Sequence, residues 1–359
     1  MQVAKLCGNM GTTVGFSFNH VHHCSCPSIV APDETYVTHT FHGGKFPLKN
    51  YLASLSRLIS ANSGDCPICQ GCVLLNETPE FNPWKGYFRD VNVTTNTACN
   101  FRCSYCLAKS VTYEAAPETI KYDLAFTLLD MCNEGLIKPG LTTIHWGGGE
   151  PSICKHFEKC CEILTDNDIV QMINTNAGVF SRSIAKAIKS HVKTTVRISI
   201  DAGSRAVFKK IRGVDRLEDV WQNVKKYAEL NPEKIMVKYI VMPENSAEIE
   251  LRAFVEKCVS VGIKYVGVMP EYASFWRGEY TNREFYAMGT LKRMCKQAGI
   301  NVMLEDVQFT MSQKHFMEGV DYAIDRVIEL ENEVKAYENS TSWRVTKPIR
   351  AVKKLLSGG

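Results

Sequence analysis

Between residues 88 and 305 the chain repeats one pattern: a short run rich in β-branched and aromatic residues, then a stretch of helical period. "FRDVNVTT" (88–95), "LTTIHW" (141–146), "DIVQMINTN" (168–176), "TTVRISID" (194–201), "KIMVKYIVM" (234–242) and "IKYVGVM" (263–269) read as six strands. The stretches between them read as helices. Ile120, Leu124, Leu128 and Cys132 share one face, and Leu217, Val220, Trp221 and Val224 are spaced as a buried stripe. "SICKHFEKCCEIL" and "SRSIAKAIKS" supply two more, and "SAEIELRAFVEKCVSVG" offers Ser246 as an N-cap and Gly262 as a stop. The last helix opens on the capping box Thr281-x-x-Glu284 and ends at Gly299. Strand–helix units in series with short connections need right-handed crossovers and hence a parallel sheet. The expected fold is α/β, a (β/α)6 sheet closed or partly closed into a barrel, with an open doubly wound sheet as the alternative. In such a barrel, chemistry sits on loops at the C-terminal ends of the strands.

Around this core the sequence divides into a cysteine-rich segment at 1–85, the barrel at 86–310, and a helical, charged tail at 311–359. The first segment holds six of the 15 cysteines and no long periodic stretch, which suggests a small metal-stabilised module. In the tail, Val327, Leu330, Val334 and Tyr337 follow heptad spacing for less than two repeats. The net charge of +4 arises in "WRVTKPIRAVKKLLSGG", which has five basic residues and no acidic one. Without those five the balance is 37 basic to 38 acidic, so nucleic acid is not an expected partner. No run approaches 18 apolar residues and the N-terminus has no secretory pattern, so a cytoplasmic location is expected. Clustered cysteines then suggest metal ligands or catalytic groups rather than disulfides.

"TACNFRCSYCLAK" sets Cys99, Cys103 and Cys106 in the loop after the first barrel strand. C-x3-C-x2-C spacing lets one tight loop fold three thiolates around an inorganic centre. A four-iron cluster held by three thiolates keeps one iron open, as a catalytic zinc keeps one position open. A structural zinc site completed by a histidine is the alternative.

"CNFRCSYC", with Tyr105 before the last cysteine, resembles the signature of the radical S-adenosylmethionine (SAM) enzymes. The resemblance continues in order along residues 88–270. "HWGGGEPS" matches the family's GGE motif, "NTN" (174–176) ends the third strand, "SID" (199–201) ends the fourth, and "IRG" carries Arg212. It implies a [4Fe–4S] cluster on Cys99, Cys103 and Cys106 whose open iron is chelated by the methionine part of SAM. One-electron reduction by an external reductant then cleaves SAM to methionine and a 5′-deoxyadenosyl radical, which abstracts a substrate hydrogen. Gly148, Gly149 and Glu150 would meet the methionine ammonium group. Tyr105, Asn174, Asn176, Ser199, Asp201 and Arg212 would complete the SAM site, with Arg212 on the carboxylate. Taken singly, Asn174, Asn176 and Ser199 also read as strand-end caps, and Arg212 as a surface arginine.

"HVHHCSC" and "DCPICQGC" resemble the SPASM or twitch auxiliary-cluster modules of that family, here before the barrel rather than after it. An auxiliary iron–sulfur cluster on Cys7, Cys24, Cys69 and Cys72 is implied, with Cys26 and Cys66 in reserve. A zinc knuckle using His20, His22 or His23 is the alternative. Cys132, Cys160, Cys161, Cys258 and Cys295 fall in predicted helices and read as small buried hydrophobes. "ENSTSWRVTKPIRAVKKLL" resembles an SWR-T-P-R element of surface-polysaccharide enzymes. Trp343, Val352, Leu355 and Leu356, interleaved with basic residues, offer a membrane-surface or protein contact, with a solvated terminal helix as the alternative. The reading that follows is a radical SAM enzyme oxidising or epimerising a sugar or sugar-nucleotide. A peptide-modifying radical SAM enzyme and a non-catalytic iron–sulfur or zinc sensor or scaffold are the alternatives.

Overall fold

The computed structural model describes residues 4–7, 10–17, 20–23, 38–62, 75–78, 84–94, 98–106, 120, 122–304, 323, 326–327 and 329–346. In chain order, the N-terminal part supplies β1 (Ala4–Cys7), β2 (Thr13–Ser17), β3 (His20–His22), β4 (Thr38–Thr40), α1 (Leu48–Ala61) and β5 (Leu75–Thr78). Then follow β6 (Asp90–Thr94), α2 (Leu124–Asn133), β7 (Thr143–Gly147), α3 (Lys155–Asp166), β8 (Val170–Thr175), α4 (Arg182–Lys189) and β9 (Thr195–Ser199). The chain continues through α5 (Arg205–Arg212), α6 (Leu217–Leu230), β10 (Ile235–Val241), α7 (Glu248–Ser260), β11 (Tyr265–Pro270), α8 (Tyr272–Trp276), α9 (Asn282–Gln297) and β12 (Asn301–Leu304). A short helix, α10 (Thr341–Val345), lies in the tail.

The fold is α/β around an open, mostly parallel sheet of ten strands in the order β12-β11-β10-β9-β8-β7-β6-β2-β3-β4. All six expected strands are present, in sequence and parallel. β12 extends the series by one. On the other side β2 pairs in parallel with β6, Gly15 opposite Asn92, and β3 and β4 follow antiparallel. β2, β3 and β4 therefore belong to the same sheet as the six expected strands, and the expected division at 85 falls between two hydrogen-bonded strands, β2 and β6. Nor does the N-terminal segment lack a long periodic stretch: α1 has 14 residues and buries Tyr51, Ser54, Leu55 and Leu58.

Strand residues alternate between two environments. Val91, Val93, Ile144, Trp146, Ile173, Val196, Ile198, Val237 and Tyr239 are buried in the apolar core, together with helix residues such as Leu124, Leu128, Phe157, Ile184, Val220 and Phe254. Their strand neighbours, among them Asn92, His145, Met172, Asn174, Arg197, Ser199 and Lys238, are half-buried on the opposite face. One apolar face per strand and helices on that side account for the pattern.

The capping box at Thr281 and Glu284 is formed as expected. Ser246 does not cap α7. Its hydroxyl donates to the Pro243 carbonyl at 3.1 Å and Ala247 holds the cap position, because Asn245 closes the preceding turn by accepting from Met242 N at 2.7 Å. Cys160, Cys161, Cys258 and Cys295 are buried helix residues, and Cys132 is half-buried. Val327, Leu330, Val334 and Tyr337 are exposed, and the Tyr337 and Trp343 rings meet at 4.7 Å. Val352, Leu355 and Leu356 lie outside the described residues. No helix among the described residues is long and apolar enough to cross a membrane.

Candidate functional site

The cysteine loop leaves the C-terminal end of β6 and is fixed by backbone groups of two other loops. Arg102 N donates to Arg212 O at 3.0 Å, Ser104 N to Ile211 O at 2.8 Å, and Glu150 N to Ala98 O at 2.8 Å. The two acceptors on α5 are carbonyls of its last turn, which lack partners within a helix. Ser204 caps the start of α5, and Gly213 ends it with φ of 70°. A Cβ on Gly213 would lie 2.4 Å from the Arg102 carbonyl oxygen, so a glycine is required for conformation and for space. Gly213→Ala is expected to push the cysteine loop off α5 and cost about 1–3 kcal/mol. Reduced iron uptake on anaerobic reconstitution, with the far-ultraviolet dichroism unchanged, is the measurement.

Cys103 is buried, and Cys99 and Cys106 are half-buried. The Cys99 sulfur accepts from Phe101 N at 3.4 Å and from Asn176 Nδ2 at 3.5 Å. Burial pushes the Cys99 thiol up, against the opposing pull of these two donors and of Arg212. Burial pushes the Cys103 thiol up to about 11, with Arg212 pulling it down and Asp201, Cys99 and Cys106 adding to the rise. A cationic iron centre would displace those protons, since thiolate is the ligand form. Among the described residues, no group of three or more His, Cys, Asp or Glu side chains is set to grip a single ion. Three sulfurs on one loop, with N–H donors to the Cys99 sulfur and a guanidinium alongside, are a donor set that fits an iron–sulfur centre.

Behind the loop lies a buried network. Asp201 Oδ2 accepts from Tyr105 Oη at 2.7 Å and from Arg212 Nη1 at 2.8 Å, and Asp201 Oδ1 accepts from Ile240 N at 2.8 Å. Arg212 also donates to Tyr105 Oη. The guanidinium lies 5.4 Å from the Phe101 ring centre and 5.8 Å from that of Tyr105. Burial alone would lower the Arg212 pKa, but Tyr105, Cys103, Asp201 and Cys99 hold it above its ordinary value. Asp201 adopts φ of 62°, and Asn245 Nδ2 steadies that peptide by donating to Asp201 O at 2.9 Å. Arg212 is thus a buried partner of Asp201, not a surface arginine.

The GGE motif and the end of β8 form a second network. Glu150 Oε1 accepts from Ser152 N (3.1 Å), Ser152 Oγ (2.6 Å) and Thr175 Oγ1 (2.6 Å), and Oε2 from Asn176 N (2.7 Å). The carboxylate is 2% exposed and ties the two loops together. Gly148 has φ of 92° in the turn before it, and Gly149 follows. Asn176 Nδ2 continues to Asn100 Oδ1 at 2.7 Å, while Asn174 Nδ2 donates to Trp146 O at 2.9 Å. Ser199 ends β9. The structure therefore gathers Cys99, Tyr105, Glu150, Asn176, Asp201 and Arg212 on and behind one loop. Sequence reasoning pointed to Thr175 only as part of "NTN" and missed Ser152, Asn100 and Asn245, whose polar side chains in turns beside the strand ends were the available signal.

Of the N-terminal cysteines, Cys24, Cys26, Cys66, Cys69 and Cys72 lie outside the described residues. The backbone of Cys7 ends β1 opposite Leu75 of β5, three residues after Cys72 in the sequence.

Fold and site together define an α/β domain that presents three cysteines after its first barrel strand. Residues 93–255 match the model of the Radical SAM superfamily. The GTP 3′,8-cyclase of Pasteurella multocida is 27% identical over 158 residues, 44% of this chain and 45% of that protein. The GTP 3′,8-cyclase of Thermodesulfovibrio yellowstonii is 26% identical over 185 residues, 50% of this chain and 56% of that protein. The chain thus spans about half the length of these curated relatives. Among solved structures, SuiB of Streptococcus suis bound to the precursor peptide SuiA gives a TM-score of 0.49 at 13% identity, covering 72% of this chain and 61% of that one.

Proposed function

We propose that the protein is a radical SAM enzyme acting on a sugar or sugar-nucleotide, oxidising or epimerising it in surface-polysaccharide biosynthesis. The observation that carries the chemistry is the three-thiol loop locked between the last turn of α5 and the Glu150 loop. Cys99, Cys103 and Cys106 would hold a [4Fe–4S] cluster, leaving a place for SAM. When bound and reduced, that pair supplies a 5′-deoxyadenosyl radical able to remove a hydrogen atom from carbon. The protein's own part is to hold the thiolates, to place a buried guanidinium beside them, and to fix the neighbouring strand ends through Glu150. The names of the GTP 3′,8-cyclases favour a nucleotide-bearing substrate, and the tail's resemblance to polysaccharide enzymes favours a sugar.

An auxiliary cluster is part of the proposal, as an acceptor for the electron left on an oxidised substrate. The β1–β5 pairing supports it by bringing Cys7 opposite the segment that follows Cys72. Anaerobic reconstitution is expected to give about eight irons per chain, and about four would confine the metal to one loop. Incubation with SAM and dithionite is expected to release 5′-deoxyadenosine. No release with any sugar-nucleotide, sugar or peptide would overturn the proposal.

A further inference from the structure

Asn176 bonds two groups that both carry negative charge when the site is loaded. Its backbone N donates to Glu150 Oε2 at 2.7 Å, and its side-chain Nδ2 donates to Cys99 Sγ at 3.5 Å. The carboxylate and the sulfur oppose each other: Glu150 adds to the rise of the Cys99 thiol, and the Asn176 amide works the other way. Neither proton of that amide is left for a further ligand. Nδ2 carries two, and the second goes to Asn100 Oδ1 at 2.7 Å, while Oδ1 accepts from Gly178 N at 2.8 Å. The Gly178 bond fixes which way the amide faces, because only its oxygen can accept from a backbone N–H. Packing holds it there. A Cβ on Gly178 would lie 2.7 Å from a Phe101 ring carbon, 2.8 Å from Asn100 Nδ2 and 3.0 Å from Asn176 Oδ1, and Asn176 itself is buried.

One-electron reduction of an iron–sulfur centre held by thiolates adds negative charge that its sulfurs share, so hydrogen bonds to sulfur and burial set how readily it is reduced. A buried N–H held on one of those sulfurs favours the reduced form, and the low dielectric around it strengthens the effect. We infer that Asn176 is a positioning residue that makes a centre on Cys99 easier to reduce and ties it to the Glu150 loop, rather than a ligand of SAM. The inference rests on the reading of Cys99, Cys103 and Cys106 as iron ligands. The electron comes from the external reductant, and the step transfers no proton and breaks no bond.

The test is a redox titration of the anaerobically reconstituted full chain, followed by electron paramagnetic resonance, the loop's signal being the one absent from Cys103→Ala. Asn176→Leu matches the amide in size and donates nothing. In it, the ratio of reduced to oxidised centre at a fixed potential is expected to fall about tenfold, which is a midpoint about 59 mV lower for a one-electron couple. Asn176→Asp adds a charge beside the sulfur and is expected to lower the midpoint further. A site that had merely loosened would admit water, which favours the more highly charged form and moves the midpoint upward. Asn100→Ala frees the amide without removing the donor to sulfur. It is expected to give a smaller fall, and it decides the matter should the Asn176 variants take up no iron. A midpoint that stays or rises in these variants overturns the inference. So does a loss of SAM affinity in Asn176→Leu at the parental midpoint, which would return Asn176 to the SAM site. A parent that forms no iron–sulfur centre would overturn this inference and the proposed function together. Lowered midpoints without release of 5′-deoxyadenosine would defeat the enzyme reading and leave the role of Asn176 standing.

Discussion

Replacement of Cys103 by alanine is expected to abolish 5′-deoxyadenosine release and to lower iron content by about four atoms per chain. Cys103 is the middle cysteine of the loop and its buried member, flanked by the backbone bonds of Arg102 and Ser104 to the end of α5. Alanine leaves those bonds in place, so the loss would be of a sulfur and not of a fold. Any iron held by the N-terminal cysteines should persist, visible as a residual spectrum of constant intensity. Retained SAM cleavage in this variant would refute the assignment of the loop.

Asp201→Asn is expected to lower stability by about 3–5 kcal/mol, because it leaves the Arg212 guanidinium buried without its counter-charge. The side chains of Arg212 and Asp201 are 4% and 0% exposed, so water cannot replace the lost partner. Asparagine tolerates the left-handed backbone at this position, which separates the charge effect from strain. The unfolding midpoint in urea reads the effect, and Arg212→Met added to Asp201→Asn should recover part of it. A single variant as stable as the parent would mean that the ion pair contributes nothing to the site's rigidity.

The six strands and the Thr281 capping box were legible because their signals are local: runs of β-branched residues, and a side chain and backbone three residues apart. β12 was missed because "NVML" is four residues long and shows no alternation of buried and exposed positions. α1 was missed as a whole: Pro47 at its start makes no side-chain cap to announce it, although Tyr51, Leu55 and Leu58 had helical spacing. β2 is interrupted by Gly15, where a Cβ would lie 1.9 Å from the His22 ring, and a glycine in a strand reads as a break. At the site, the spacing of Cys99, Cys103 and Cys106 was readable because one loop carries it. The partners of Arg212 and Glu150 were not, since Asp201, Tyr105, Thr175 and Asn176 come from separate elements and only packing decides which of them meet.

The position of β6 within the sheet has a consequence for how the cysteine loop behaves in time. Sheets open from their margins, and among the described residues the margins are β12 and β4, with β2 and β3 between β6 and the nearer one, β4. The N-terminal strands thus act as insulation. Thermal fraying is taken up three strands away, and the loop that gathers the thiols starts from one of the slowest-opening strands of the molecule.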